Sequence, residues 1–168
     1  MSFRKGWNCL ILAFVCSLWL SSMSFSSMTP QSVDELTANS SHIMRGEVLS
    51  VVSQWNADQT SIYTKVTVAI AEMYKGSGIT PPTATILVPG GTVDDTKLWV
   101  EHTPTFSVGQ EVVTFLIDHG SFYDVTSWVQ GKYTIENEAV IELGSSATHF
   151  INQINEVVAT ERKRNGEK

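Results

Sequence analysis

Asp94, Asp95, Glu101 and His102 fall within one short stretch of the chain and offer carboxylate oxygens and an imidazole nitrogen. Those are donor types that hold divalent cations. Their spacing matches neither a helical zinc pair nor the Asp-x-Asp-x-Asp-Gly pattern of a calcium loop, so they read as solvated acids. Asp118-His119 is a second chemical pairing. Hydrolysis through a serine would need a nucleophile on a tight elbow with its base nearby, and the chain has no Gly-x-Ser-x-Gly. A carboxylate pair for glycoside hydrolysis is defined by separation in space, and the sequence nominates none. His42 and His149 lack a partner at diagnostic spacing and read as structural or surface residues. No catalytic set, metal or cofactor is assigned, and the chain is read as a non-enzyme.

The tryptophans carry more information. Trp55 ends one apolar segment, Trp99 lies in a loop, and Trp128 ends another segment. Tryptophans in such places serve as recognition anchors for proteins or sugars, or close the ends of a core. Core capping is the first reading for Trp55 and Trp128. Trp99, between Lys97 and Glu101, stays open between the two. The candidate interaction surface is therefore Trp99, Asp94, Asp95, Glu101, His102 and Trp128.

Charge narrows the partner. The chain carries Lys+Arg 11 against Asp+Glu 17, a formal net charge of −6. The basic cluster Arg162-Lys163-Arg164 lies at the C-terminus, where it complements the negative end of a final helix. Nucleic acid, which needs clustered cations against phosphate, is disfavoured.

The first 26 residues read as an export signal. Arg4 and Lys5 form its basic end, Cys9–Leu20 its apolar stretch, and Ser21–Ser27 a small-residue run for cleavage. About twelve apolar residues rise about 18 Å as a helix, short of the roughly 30 Å hydrocarbon core, so no stable membrane anchor is expected after cleavage. Both cysteines, Cys9 and Cys16, lie in that leader. The exported protein, periplasmic or extracellular, would hold no disulfide and no thiolate zinc site. Its charge would fall to −8 with the loss of Arg4 and Lys5 from a chain of −6. Oligomeric state is left open.

Residues 27–168 are the size of one domain. Ser32-Val33-Asp34-Glu35 has capping-box spacing for a short helix with Val33 and Leu36 facing the body. Ile43–Trp55 and Ile62–Tyr74 predict two long antiparallel strands, with Gly46 placed for a bulge. Strands follow at Thr83–Val88, around Leu98–Val100, and at Glu111–Ile117, whose unbroken apolar run predicts burial. Phe122–Trp128, Tyr133–Ile135 and Ala139–Glu142 complete the set. Phe150, Ile154, Val157 and Val158 recur at helical spacing, with Ile151 broadening the stripe; Ser145 and Ser146 are the capping candidates. That predicts a C-terminal helix over about 146–162.

Ser40–Val48 resembles the Ser-Asp-x-Val-x-Arg-Gly-x-Val opening of netrin-like domains, which include the tissue inhibitors of metalloproteinases. Met73-Tyr74-Lys75-Gly76 is similar to their Tyr/Phe-Lys-Gly turn, and Phe106–Glu111 to a later segment before an apolar strand. A group of uncharacterised exported bacterial proteins is more similar still, through Pro89-Gly90-Gly91, Pro104-x-Phe106, Gly109-x-Glu111 and Gln130-Gly131-Lys132. The resemblance covers roughly residues 33–142 and implies a mainly β fold: an OB-type, Greek-key β-barrel with a short N-terminal helix and a C-terminal helix. Tissue inhibitors place an N-terminal cysteine on the protease zinc. The part of this chain beyond the leader has no cysteine, so that mechanism does not transfer. The expected function is an exported, non-catalytic binding domain for a protein or cell-envelope component. A small envelope-polymer hydrolase, or a cysteine-independent protease-associated or inhibitory domain, is the alternative.

Overall fold

Two strands of 14 residues, β1 (His42–Trp55) and β2 (Ile62–Lys75), pair antiparallel and set the shape of the molecule. A computed structural model describes residues 28–77 and 82–166; the expected export leader lies outside the described residues. The β1–β2 register slips at Ile43/Met44, Arg45/Gly46 and Val48/Ser50. Each slip adds bend and twist, so the ribbon coils instead of running flat. Gly46 is the tightest of these points. A Cβ there would lie 2.2 Å from the Ala69 carbonyl oxygen and 2.8 Å from Val68 Cγ1, which only glycine avoids.

That coiling lets β1 serve two neighbours. Ile43–Trp55 pairs with β2, while His42–Glu47 pairs with β6 (Glu111–Asp118). β3 (Thr83–Pro89) lines the other edge of β2. β7 (Tyr123–Val125) joins β3 in parallel at Ile86↔Tyr123 and β6 antiparallel, which completes the circuit β1-β2-β3-β7-β6-β1. The result is a closed five-stranded barrel of the expected mainly β, OB type. β8 (Lys132–Glu136), β9 (Ala139–Val140) and β10 (Ser145–Ser146) extend the sheet from β6. β4 (Gly91–Val93) and β5 (Thr96–Leu98) form a separate hairpin after β3.

Two hydrophobic cores result from the period-two alternation of β6. Val112 and Leu116 point into the barrel with Met44, Val48, Val66, Val68, Ala84, Ile86 and Val88. Val113 and Phe115 point outward, where they meet Tyr133, Leu36 of α1 (Val33–Asn39), and Phe150, Ile154 and Val158 of α2 (Ala147–Arg164). The unbroken apolar run is thus a strand buried on both faces. At the start of α1, Ser32 Oγ accepts from Glu35 N–H at 3.2 Å and Glu35 Oε2 accepts from Ser32 N–H at 2.8 Å, the expected capping box. Lys75 Nζ then ties the two helices together, donating to Thr37 O at 2.6 Å and Glu161 Oε2 at 2.8 Å.

Three expected elements are corrected. Phe122–Trp128 is a strand only over Tyr123–Val125, because Ser127 and Trp128 take left-handed backbone (φ 54 and 60) and begin a 3₁₀ turn, Trp128–Gly131. The strand expected around Leu98–Val100 instead belongs to the β4–β5 hairpin and ends at Leu98. Ser145 and Ser146 pair with Val140 and Ala139 as a strand; Ser146 does hold the N-cap position of α2, but its side chain makes no capping bond.

Candidate functional site

The β4–β5 hairpin and the segment after it cover one mouth of the barrel. Pro89-Gly90-Gly91 turns the chain out of β3, with Gly90 at φ 92 and Gly91 at φ 139, a region that side chains other than glycine resist. A Cβ on Gly91 would lie 2.4 Å from Ser53 Oγ and 2.5 Å from Thr64 Oγ1, so the hairpin rests directly on the β1–β2 ladder. Thr64 Oγ1 donates to Gly90 O at 2.7 Å and fixes that approach. Asp94, at φ 50, and Asp95 form the exposed tip of the hairpin. Trp99 follows β5 and is 74% exposed. A cavity of about 350 Å³ opens beneath this cover, lined by Val51, Val66 and Val88 of the barrel and by Lys97, Trp99 and Phe106 of the cover.

Trp128 flanks a second, smaller slot of about 220 Å³. Leu87, Ile117, Val125 and Trp128 supply apolar wall, and Asp124 adds a carboxylate. Val88, Pro89 and Pro104 line both hollows, so the two are neighbours across one wall. The backbone couples their rims: Val129 N–H donates to His102 O at 2.9 Å. The turn around Trp128 is tight because a Cβ on Gly131 would lie 2.1 Å from Thr126 O. The start of the described chain straps the turn down, since Gln31 N–H donates to Gln130 Oε1 at 2.7 Å and Ser127 Oγ donates to Gln31 Oε1 at 2.6 Å.

Of the sequence candidates, Trp99 lines one hollow and Trp128 the other, His102 joins the two segments through its carbonyl, and Glu101 is its exposed neighbour. Asp94 and Asp95 stand apart at the hairpin tip. His102 Nε2 lies 3.5 Å from Glu101 Oε1, both exposed, and among the described residues no three His, Cys, Asp or Glu side chains gather as a metal-holding group. Trp128, read from sequence as a core cap, is 46% exposed, while Trp55 is half-buried. His42 is buried, its rings of contact being Ser41 Oγ at 3.1 Å, Ser77 O at 3.3 Å and the edge of Tyr123.

Two features were not anticipated. His119 Nε2 lies 3.0 Å from Asp124 Oδ2 and stacks on Phe122 at 5.0 Å between centroids, which brings a histidine to the slot's carboxylate. Lys132 is buried: its Nζ donates to Thr134 Oγ1 at 2.6 Å and lies 5.7 Å from the centre of the Phe106 ring. Burial pushes the Lys132 ammonium below the ordinary lysine range, against the pull of Glu142. A lysine between a glycine and the buried strand Tyr133–Ile135 was the available signal. No family model matches the chain, and no curated protein matches it.

Proposed function

We propose that this chain is an exported binding domain that recognises a protein or cell-envelope component through the covered mouth of its barrel. One observation carries the reading: two tryptophans, Trp99 and Trp128, are held exposed on rims that the Val129–His102 hydrogen bond joins. An indole removed from water on binding contributes roughly 2–4 kcal/mol from its apolar area, enough for each to anchor a contact. The basic and apolar order of the leader supports export, and the netrin-like motifs at Ser40–Val48 and Met73–Gly76 support a distant relation to that class of binding domains.

Trp99→Ala and Trp128→Phe in the full chain should each weaken capture of the component from envelope extract while thermal unfolding stays near wild type. Wild-type capture by both variants would overturn the reading. The His119–Asp124 contact favours a second reading, a small hydrolase of envelope polymers with His119 as base. Release of fragments from peptidoglycan or glycan by the wild type, and not by His119→Ala, would establish it instead.

A further inference from the structure

We propose that two copies of this chain pair along the open edge of β1, with Val51–Trp55 antiparallel to its counterpart about a two-fold axis at Ser53. This association stands apart from the binding reading above and does not depend on it.

The edge is left open by the way β1 leaves the barrel. Its pairing with β6 covers His42–Glu47. The last bonds on that side are Val48 N–H to Gln110 O at 2.9 Å and Gly109 N–H to Val48 O at 2.8 Å. Beyond them β1 continues to Trp55 with β2 alone. The phase of the ladder decides which groups are left over. Gly90 N–H donates to Ile62 O and Ile70 N–H to Pro82 O, so Ile62, Thr64, Val66, Val68 and Ile70 bond toward β3. Tyr63, Lys65 and Thr67 therefore bond toward β1, where they face Gln54, Val52 and Ser50. Asn56 N–H, donating to Ser61 O, fixes the same phase from the turn. Val51, Ser53 and Trp55 thus turn N–H and C=O to the far side, and among the described residues no strand or loop bonds them there.

Two features name the occupant as a second copy. Leu49–Trp55 holds no charge, no proline and no glycine, although charges and prolines are what keep exposed edges from pairing. A chain of net charge −6 repels its own copy over most of its surface, and this stretch brings no like charges together. The edge also complements itself. With Ser53 opposite Ser53 and Val51 opposite Trp55, each open N–H meets an open C=O of the other copy. Val52, 54% exposed, and Leu49, 49% exposed, flank the seam and leave water as it closes. Ser53 Oγ keeps its bond to Thr64 Oγ1 at 3.0 Å, so the seam asks nothing of that side chain.

Such an axis stands perpendicular to the sheet, which puts the faces bearing Val51 and Ser53 on one side of both copies. Those two residues line the hollow under Trp99. The dimer therefore presents both mouths in one direction, where two weak contacts to one surface reinforce each other.

Sedimentation of the purified full-length chain, with residue-resolved amide exchange over a dilution series, is the test. A seam this small predicts a dimer that forms between about 10 μM and about 1 mM. As it forms, exchange should slow at Val51, Ser53 and Trp55, and stay constant at Val52 and Gln54, which already face β2. Ser53→Pro removes a bridging N–H that β2 does not use, and Val52→Lys sets a charge beside the seam. Each should weaken dimerisation by at least about tenfold and leave thermal unfolding near wild type. A monomer throughout that range would overturn the proposal. So would a dimer that both variants retain, which would place the contact elsewhere on the chain. Slow exchange at the three amides at every concentration would show that the chain covers its own edge, and the pairing would fall. If one variant does not fold, the other and the wild-type exchange pattern decide.

Discussion

Phe150 and Trp99 are both large aromatic residues of one small protein, yet the first is 1% exposed and the second 74%. The difference follows from what covers each side of the barrel. Outside β6 and β8, α2 lays a full apolar stripe on a sheet, and Phe115, Tyr133 and Phe150 pack ring against ring at 4.6–6.5 Å between centroids. At the mouth the cover is a hairpin of two three-residue strands and an irregular segment, which carry too few apolar side chains to close over the barrel end. Hollows and half-exposed rings are left there. One region holds the fold together and the other presents it, so substitutions in the two should separate stability from recognition.

The widest separation comes from the wall. Phe150→Ala removes the ring shared by Phe115 and Tyr133 and should cost about 3–5 kcal/mol, read as a lowered denaturant midpoint at unchanged slope. A loss below about 1 kcal/mol would show that the helix layer is dispensable and the comparison misplaced. Gly46→Ala comes next. Its Cβ would meet the Ala69 carbonyl at 2.2 Å, so the β1–β2 coil must open, at about 1–3 kcal/mol. Neutrality would mean that the register slip at Gly46 does not depend on this close approach.

These two effects also mark what a reader of the sequence could see. Ser32 and Glu35, Gly46, the paired long strands and the doubly buried β6 are local patterns, with their causes within a few residues. The missed features depend on closure of the barrel. Trp128 reads as a strand residue by propensity, and a left-handed tryptophan becomes visible only once Gly131 and Thr126 are forced together. Ser146 stands at the N-cap of α2 as its type suggests, but the β9 edge claims both serines as a strand, which no local pattern announces. Asp124 and His119 meet because β7 returns along β6, and Val129 reaches His102 across more than 20 positions of chain. Trp99, Glu101, His102 and Trp128 were recognisable as candidates, but the wall of Val88, Pro89 and Pro104 that makes their two rims one surface was not.

Lys132 sits between the two regions, on β8 yet against Phe106 of the mouth segment. Lys132→Met keeps the stem's packing, and Glu142 still accepts from Thr134 N–H and Oγ, so a loss of about 1 kcal/mol or less is expected at pH 7. The pH profile is the sharper readout. Burial lowers the affinity of Lys132 for its proton in the folded state, so between that lowered value and about 10.4 the unfolded chain binds more protons. Stability from this group therefore rises with pH through that window, and the rise should vanish in Lys132→Met. Tyr74, Tyr123 and Tyr133, all shifted upward mainly by burial, act with the opposite sign above about pH 10, where the unfolded tyrosines ionise first. The comparison should be made below that point. Identical slopes in the two proteins would show that the ammonium is solvated from the mouth.

The smallest effect on stability is expected at Trp99, and it is the one that tests the division most directly. A ring 74% exposed has little apolar contact to lose, so Trp99→Ala should change unfolding free energy by no more than about 0.5 kcal/mol. Its wall neighbours Val66 and Val88 stay buried through the barrel core, independent of the indole. A loss above about 2 kcal/mol would mean that the ring closes the barrel end in solution, and the mouth would then belong to the stability core. With stability unchanged and capture lost, the exposed indole is retained for contact, because an apolar surface of that size left in water contributes nothing to folding.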